Sequence, residues 1–170
     1  MGVNVLIRNR IADYFDTGDG GVAAWTSAGA GFNTLDENPS AQSDTKAYIN
    51  DASATTTVKS YQPQFPFDVD LTSDDPIINK FYDFGTRRYV GGDVVMDYIR
   101  VELWRPDTTG TGTNVYKARK MTVAVVVDGI AGAGGEVIHV TGNLQGIGDP
   151  VDGTFDTAGK IFTEDVVTTA

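Results

Sequence analysis

The sequence predicts a mainly β fold of the α+β kind. It reads as an antiparallel β-sandwich or open barrel, with one flanking helix at about residues 75–86 and a long N-terminal arm and loop. Three observations carry this. Several segments alternate apolar and polar residues with a period of two, the mark of a half-buried strand. Only one segment has helical spacing with a capping signal. The 20 glycines gather between the alternating segments, as turns require. At 170 residues the chain suits a single domain. Residues 1–44 form the arm and loop, 45–163 the sandwich core with its helix, and 164–170 a C-terminal tail.

Residues 3–15 carry Val3, Val5, Ile7, Ile11, Tyr14 and Phe15, first alternating and then helix-like. From Thr17 to Ser43 the chain is rich in Gly, Ala, Ser, Asn and Asp, with Trp25, Phe32 and Leu35 as isolated apolar anchors. This span reads as a long solvated loop, incompletely ordered in a free subunit, so ordered structure is expected from near Thr45. Thr45–Asn50 and Thr57–Leu71 read as two strands. In the second, Tyr61, Phe65, Phe67, Val69 and Leu71 share one parity, with Gln62, Gln64, Asp68 and Asp70 on the other. Pro63 and Pro66 cannot donate ladder hydrogen bonds, so this strand should be bent, bulged or at an edge.

The helix is signalled at both ends. Asp75 precedes a proline, which keeps it out of helical geometry and suits an N-cap, and Pro76 fits the first helical position. Ile77, Ile78, Phe81, Tyr82 and Phe84 form its packing stripe, and Gly85 reads as its stop. Strands follow at Val94–Arg105, Val115–Asp128 and Val137–Gly146, with a short one at Lys160–Thr163. In Val94–Arg105, Val95, Ile99, Val101 and Leu103 oppose Tyr98, Arg100, Glu102 and Trp104. In Val137–Gly146, Ile138, Val140 and Leu144 oppose His139, Thr141, Asn143 and Gln145.

Composition excludes several functions. The chain has 13 basic and 23 acidic residues, a net charge of −10, which argues against a site that grips nucleic acid through its phosphates. The excess is uneven, with 4 basic and 11 acidic side chains in residues 1–75 against 9 and 12 in 76–170. There is no cysteine and a single histidine, so disulfides, thiolate chemistry and multi-histidine metal sites are absent from one chain. Asp68, Asp70, Asp74 and Asp75 are the densest carboxylates, but they lack the spacing of a calcium loop and read as strand-face and capping residues. Asp13, Asp16 and Asp19 fail the same test. His139 reads as a surface or interface histidine. No enzyme motif, cofactor site or membrane span is found. Residues 1–8 lack the pattern of a signal peptide or a myristoylation site, so a soluble chain made in a cytoplasm is expected.

The basic residues are scattered, apart from Arg87-Arg88 and the group Lys117, Arg119 and Lys120. They are too few for a nucleic-acid groove and are assigned to an acidic surface of another copy. Polar strand faces rich in Gln, Asn, Thr and Asp rather than Lys leave edges that neighbouring copies can complete.

The stretch Thr45-Lys46-Ala47-Tyr48-Ile49-Asn50, then SATTTVKSYQPQFPFDVDL over Ser53–Leu71, then DDPIINKFYDFGTRR over Asp74–Arg88, resembles the major tail (tail tube) proteins of tailed phages. The group resembled is that of long-tailed phages of Gram-positive hosts and of phage-like tail particles. The likeness runs over roughly residues 44–105. It implies a β-sandwich with a flanking helix that forms hexameric rings stacked into a tube in the virion, assembled in the host cytoplasm. It also implies tape measure, tail-tip and tail-terminator partners, and a lumen through which the genome passes without specific binding. Carboxylates and small polar groups suit such a lumen, because Lys or Arg would condense onto phosphates. The lumen-facing residues expected are Gln62, Gln64, Asp68 and Asp70 on one strand and Thr141, Asn143 and Gln145 on another. The competing reading is a monomeric β-sandwich binding module for carbohydrate or adhesion, with Trp25, Tyr98 and Trp104 as an aromatic platform.

Overall fold

The computed structural model describes residues 2–19, 21–110 and 112–166, so the last four residues of the C-terminal tail lie outside the described residues. Among the described residues there are ten strands and one α-helix, with 53% in strands. The strands are β1 (Ile11–Asp16), β2 (Trp25–Ala28), β3 (Phe32–Leu35), β4 (Ala41–Lys46), β5 (Thr55–Tyr61), β6 (Gln64–Asp70), β7 (Val95–Pro106), β8 (Val115–Ala131), β9 (His139–Asp156) and β10 (Ile161–Glu164). The helix, α1, spans Pro76–Thr86. Eight strands build one antiparallel sheet in the order β2-β1-β7-β8-β9-β6-β3, with β10 added to β9. This sheet curls into a half-barrel, and β4 with β5 forms a separate two-stranded hairpin. No described helix is long and apolar enough to cross a membrane.

The concave face of the sheet closes over α1. Ile77, Ile78 and Phe81 are fully buried among Phe15, Phe65, Phe67, Val69, Tyr98, Val123, Val125, Val140 and Leu144. Each buried large side chain contributes about 1.5–3 kcal/mol. The helix begins as expected: Asp75 Oδ1 accepts from the Ile77 and Ile78 amides at 2.8 and 3.3 Å. Its end differs. The chain stays helical through Gly85 to Thr86 and turns at Arg88, whose φ is 56°. Gly85 instead permits close approach, since a Cβ there would sit 2.8 Å from Val127 Cγ1 of β8.

Residues 11–35, expected as arm and loop, carry β1, β2 and β3. Their apolar anchors explain this. Phe15 and Leu35 enter the main core, and Phe32 packs against it. Tyr14 and Trp25 join a second cluster with Ile99, Val101, Ala118 and Phe155. Gly31 turns β2 into β3 at φ +86°, where a Cβ would press on Ile78 Cδ1 at 2.8 Å. The strand expected over Thr45–Asn50 lies earlier, at Ala41–Lys46. The single strand expected over Thr57–Leu71 is two, broken at Gln62-Pro63. Pro63 interrupts the strand outright, which is none of the bend, bulge or edge expected of its prolines. Pro66 sits inside β6, opposite Asn143 of β9 and with β3 on its other side.

Both parities of β7 are buried in mid-strand, because the main core lies on one side and the second cluster on the other. Met96, Tyr98 and Arg100 face one way, and Ile99 and Val101 the other. Strand β9 runs on past Gly146 to Asp156, ten residues beyond its expected end, paired throughout with β8 apart from register shifts.

Candidate functional site

Antiparallel register makes one polar surface out of residues distant in sequence. Gln64 pairs with Gln145, Pro66 with Asn143, Asp68 with Thr141 and Asp70 with His139. All lie opposite the parity of Phe65, Phe67, Val69, Val140 and Leu144, which are buried against the core. Side chains of the set expected to face a lumen, other than Gln62, therefore gather on the convex face of β6 and β9. Asn143 Nδ2 donates to Gln64 Oε1 at 3.1 Å. Asn33 of β3 donates to Asp70 Oδ1 at 2.7 Å, and Thr34 of β3 pairs with Asp68. Gln62 stands apart. It lies in the link between β5 and β6, and its amide donates to Ser40 O at 3.2 Å.

His139 belongs to this surface. Its Nδ1 lies 3.2 Å from Asp68 Oδ1 and 3.0 Å from Asp70 Oδ1, with all three side chains partly exposed. The four carboxylates that are dense in sequence separate in space by role: Asp75 caps α1 and Asp74 accepts from Ser73, while Asp68 and Asp70 face His139. The patch holds no Lys or Arg, so its charge is carboxylate with one imidazole.

A buried ionic network holds together the strands beneath. Asp13 of β1 accepts from Arg100 Nε at 2.9 Å and from the Tyr98 hydroxyl, both on β7. Arg100 Nη2 donates to Leu35 O at 2.8 Å, and Nη1 pairs with Glu37 at 3.3 Å. Glu37 receives Arg119 of β8 through two bonds of 2.6 and 2.9 Å. From outside, Arg8 reaches Asp13 Oδ2 at 2.6 Å. Burial pushes the Tyr98 phenol well above its usual range, and the neighbouring Asp13 charge adds to this. The hydrogen bonds from Arg119 hold the Glu37 carboxyl below its usual value. Burial works against the charge on Arg100, but Tyr98, Asp13 and Glu37 outweigh it, so its pKa rises. This network was invisible in the sequence because Asp13 and Arg100 lie 87 residues apart.

The basic residues assigned to inter-subunit contact divide. Arg119 is engaged inside the subunit by Glu37. Arg87 meets Asp83 one helical turn back at 3.7 Å, and Lys120 approaches Asp97 at 4.0 Å. Arg88 and Lys117 are exposed. The aromatic platform of the competing reading is not formed. Tyr98 is fully buried beneath Phe15 and Phe65, and Trp25 sits in the second cluster against Phe155.

The β4–β5 hairpin is the opposite of the core. Every residue of β5 is exposed, and in β4 only Asp44 is partly covered. Tyr48 and Ile49 at its tip are exposed apolar residues. Within the hairpin Thr45 and Thr56 hydrogen bond at 2.9 Å, and Lys59 pairs with Asp44 at 3.2 Å. A lone two-stranded hairpin in water is marginally stable at best.

No protein-family model matches the chain, and no curated protein matches it. Among solved structures, the chain is similar to the SPP1 tail tube determined by solid-state NMR and cryo-EM, with a TM-score of 0.63 and 11% identity. That likeness covers 87% of this chain and 78% of the other. It is also similar to a chain of the six-fold symmetrised anti-feeding prophage baseplate, with a TM-score of 0.52 and 8% identity, over 89% of this chain and 97% of that one. The fold is therefore phage tail tube-like.

Proposed function

We propose that this chain is a structural, non-enzymatic tail protein whose copies join into hexameric rings stacked as a tail tube, through which a genome is delivered into a host. The observation that carries the reading is the likeness of the fold, over 87% of this chain, to the SPP1 tail tube. The exposed hairpin agrees with it, since a second copy would supply the cover that the subunit lacks. The motifs of residues 44–105 favour the group found in long-tailed phages of Gram-positive hosts. In the virion, tape measure, tail-tip and terminator proteins are the partners this role requires.

In this reading the convex surface of β6 and β9 lines the bore. Gln64, Asp68, Asp70, Thr141, Asn143 and Gln145 then present acceptors and small amides to passing DNA, with no Lys or Arg among them to hold a phosphate. Repulsion from the carboxylates is short-ranged, because charges beyond ~8 Å are largely screened at physiological salt. Arg88 and Lys117 remain for contacts between copies.

Size-exclusion chromatography at rising concentration, followed by negative-stain microscopy, tests the assembly. Rings or hollow rods are expected, whereas a strict monomer, alone and on an initiating tail-tip complex, overturns it. The bore assignment is tested separately by Asp68→Lys with Asp70→Lys. Tubes should form while DNA delivery fails, and normal infectivity of the double variant removes the assignment.

A further inference from the structure

The exposed hairpin continues an element of the body. Strands β3 and β6 and strands β4 and β5 are stretches of one two-stranded ribbon, because Leu35–Phe67, Asn38–Gln64 and Ala41–Tyr61 are partners at equal three-residue steps. The ladder breaks near Ser40 and Pro63. Ser40 takes a φ of 51°, which an L side chain rarely adopts, and Pro63 has no amide to donate. At the break lies a cleft of ≈ 420 Å³, with Pro39, Tyr61 and Pro63 of the ribbon on one side and Met121, Gly148 and Pro150 of the body on the other. Among the described residues, no hydrogen bond or ion pair joins residues 39–62 to β7, β8 or β9.

Two ties hold the ribbon where it leaves the body. The first is the ladder of β6 on β9, which ends with the Gly146 amide donating to Pro63 O at 2.9 Å. The second is ionic. Glu37, on the entering strand just before Ser40, accepts two bonds from Arg119 of β8 at 2.6 and 2.9 Å and meets Arg100 of β7 at 3.3 Å. It is the last ribbon side chain tied to the body before the break. Gly146 pairs with Val123 of β8, so the two ties are four residues apart along that strand, roughly 13 Å. A single tie leaves a pivot, whereas two separated ties fix a direction. A bidentate carboxylate–guanidinium pair suits the second, since parallel bonds constrain angle as well as distance. Among the described residues, every hydrogen bond of the Arg119 side chain goes to Glu37.

We infer that Glu37 is a positioning residue: its pairing with Arg119 sets the direction in which the β4–β5 hairpin leaves the body, and copies join only when the hairpin points that way. The cleft is the space that the hairpin would sweep once released. The first half of the inference stands on the subunit alone. The second half rests on the tube reading, but it names what that reading leaves open, namely what aims a hairpin that has no cover of its own.

The absence of native cysteine makes the test clean, because spin labels can be placed at Thr57→Cys on β5 and Ala158→Cys in the turn after β9, both exposed. Pulsed electron paramagnetic resonance on the full chain should give one narrow distance. Glu37→Gln and, separately, Arg119→Gln should at least double its width. The double variant should be no broader than either, since all three remove the same pair. The concentration at which rods first form should rise at least tenfold in each single variant and no further in the double. Asp75→Ala, which weakens the helix cap instead, should keep both readouts at wild-type values, so that lost stability alone does not mimic the effect. Circular dichroism checks that each variant is folded. A single variant as narrow as wild type, a wild-type distribution already as broad as the variants', or broadening with rods at the wild-type concentration would each overturn the inference and leave the tube reading standing. A chain that never assembles sinks the tube reading, and the distance widths then still decide whether Glu37 aims the hairpin.

Discussion

Two hairpins of this molecule are built on opposite terms. The pair β8–β9 extends over 17 and 18 residues and lies mid-sheet, with Val123, Val125, Val140 and Leu144 driven into the core against α1. The pair β4–β5 has comparable β-propensity in its Thr-rich strands, yet buries nothing within the subunit. Backbone pairing is present in both, so it does not separate them. What separates them is where the alternate side chains go. One hairpin is held by the subunit's own core, while the other finds no cover within the subunit. In the proposed tube, stability would be set by the first and association by the second.

The sharpest way to break this contrast is to damage the core. Phe81→Ala removes a ring packed against Phe15, Phe32 and Phe67, and should cost about 3–5 kcal/mol in denaturant unfolding. A loss under 1 kcal/mol would mean that α1 is not the plug of the half-barrel. Next comes the ionic network. Glu37→Gln withdraws the charge that Arg119 and Arg100 share and should cost about 1.5–3 kcal/mol at neutral pH. The sign with pH follows from the lowered pKa of Glu37. Its contribution is complete above the unfolded value of 4.5 and fades as pH falls through the lower folded one, so wild type and variant should converge in acid. A gap that widens on acidification contradicts this. A smaller effect belongs to the cap: Asp75→Ala should cost about 1 kcal/mol, read in the same unfolding experiment. The smallest effect on the free subunit, and the most telling, is in the other hairpin. Ile49→Asp at its tip should change subunit stability by no more than about 0.5 kcal/mol while abolishing rod formation. Hydrogen exchange sharpens the same point, since Thr55–Tyr61 amides should exchange rapidly in the free subunit and become protected in assembled material.

Much of the fold was legible wherever a segment had one wet and one dry side. The period of two in residues 64–70 placed Phe65, Phe67 and Val69 inside and Gln64, Asp68 and Asp70 outside, as the structure has them. The Asp75-Pro76 signal located the start of α1. The reading failed where that premise failed. Strand β7 is covered on both faces, so alternation placed Tyr98 and Arg100 on a wet side when both are buried. Strands β2 and β3 have only four residues each, too few to show a period within a polar stretch, so their sequence reads as loop. Gly146, Gly148 and Pro150 look like turn residues, yet β9 continues: Gly146 pairs with Val123 of β8, and Gly148 and Pro150 fall in a register shift before pairing resumes at Val151. The polar surface was legible residue by residue, but not as a surface. Only register puts Asp70 opposite His139, and only the break at Pro63 removes Gln62 from it.

That break has a mechanical consequence. The exposed hairpin is tied to the body at Gln62-Pro63 on one side and at the short bridge of Asn38 with Gln64 on the other. Any tension on the hairpin, as in the proposed tube, would pass into β6 before it reached the helix. The strand that carries Asp68 and Asp70 is thus the first to feel a pull on the hairpin.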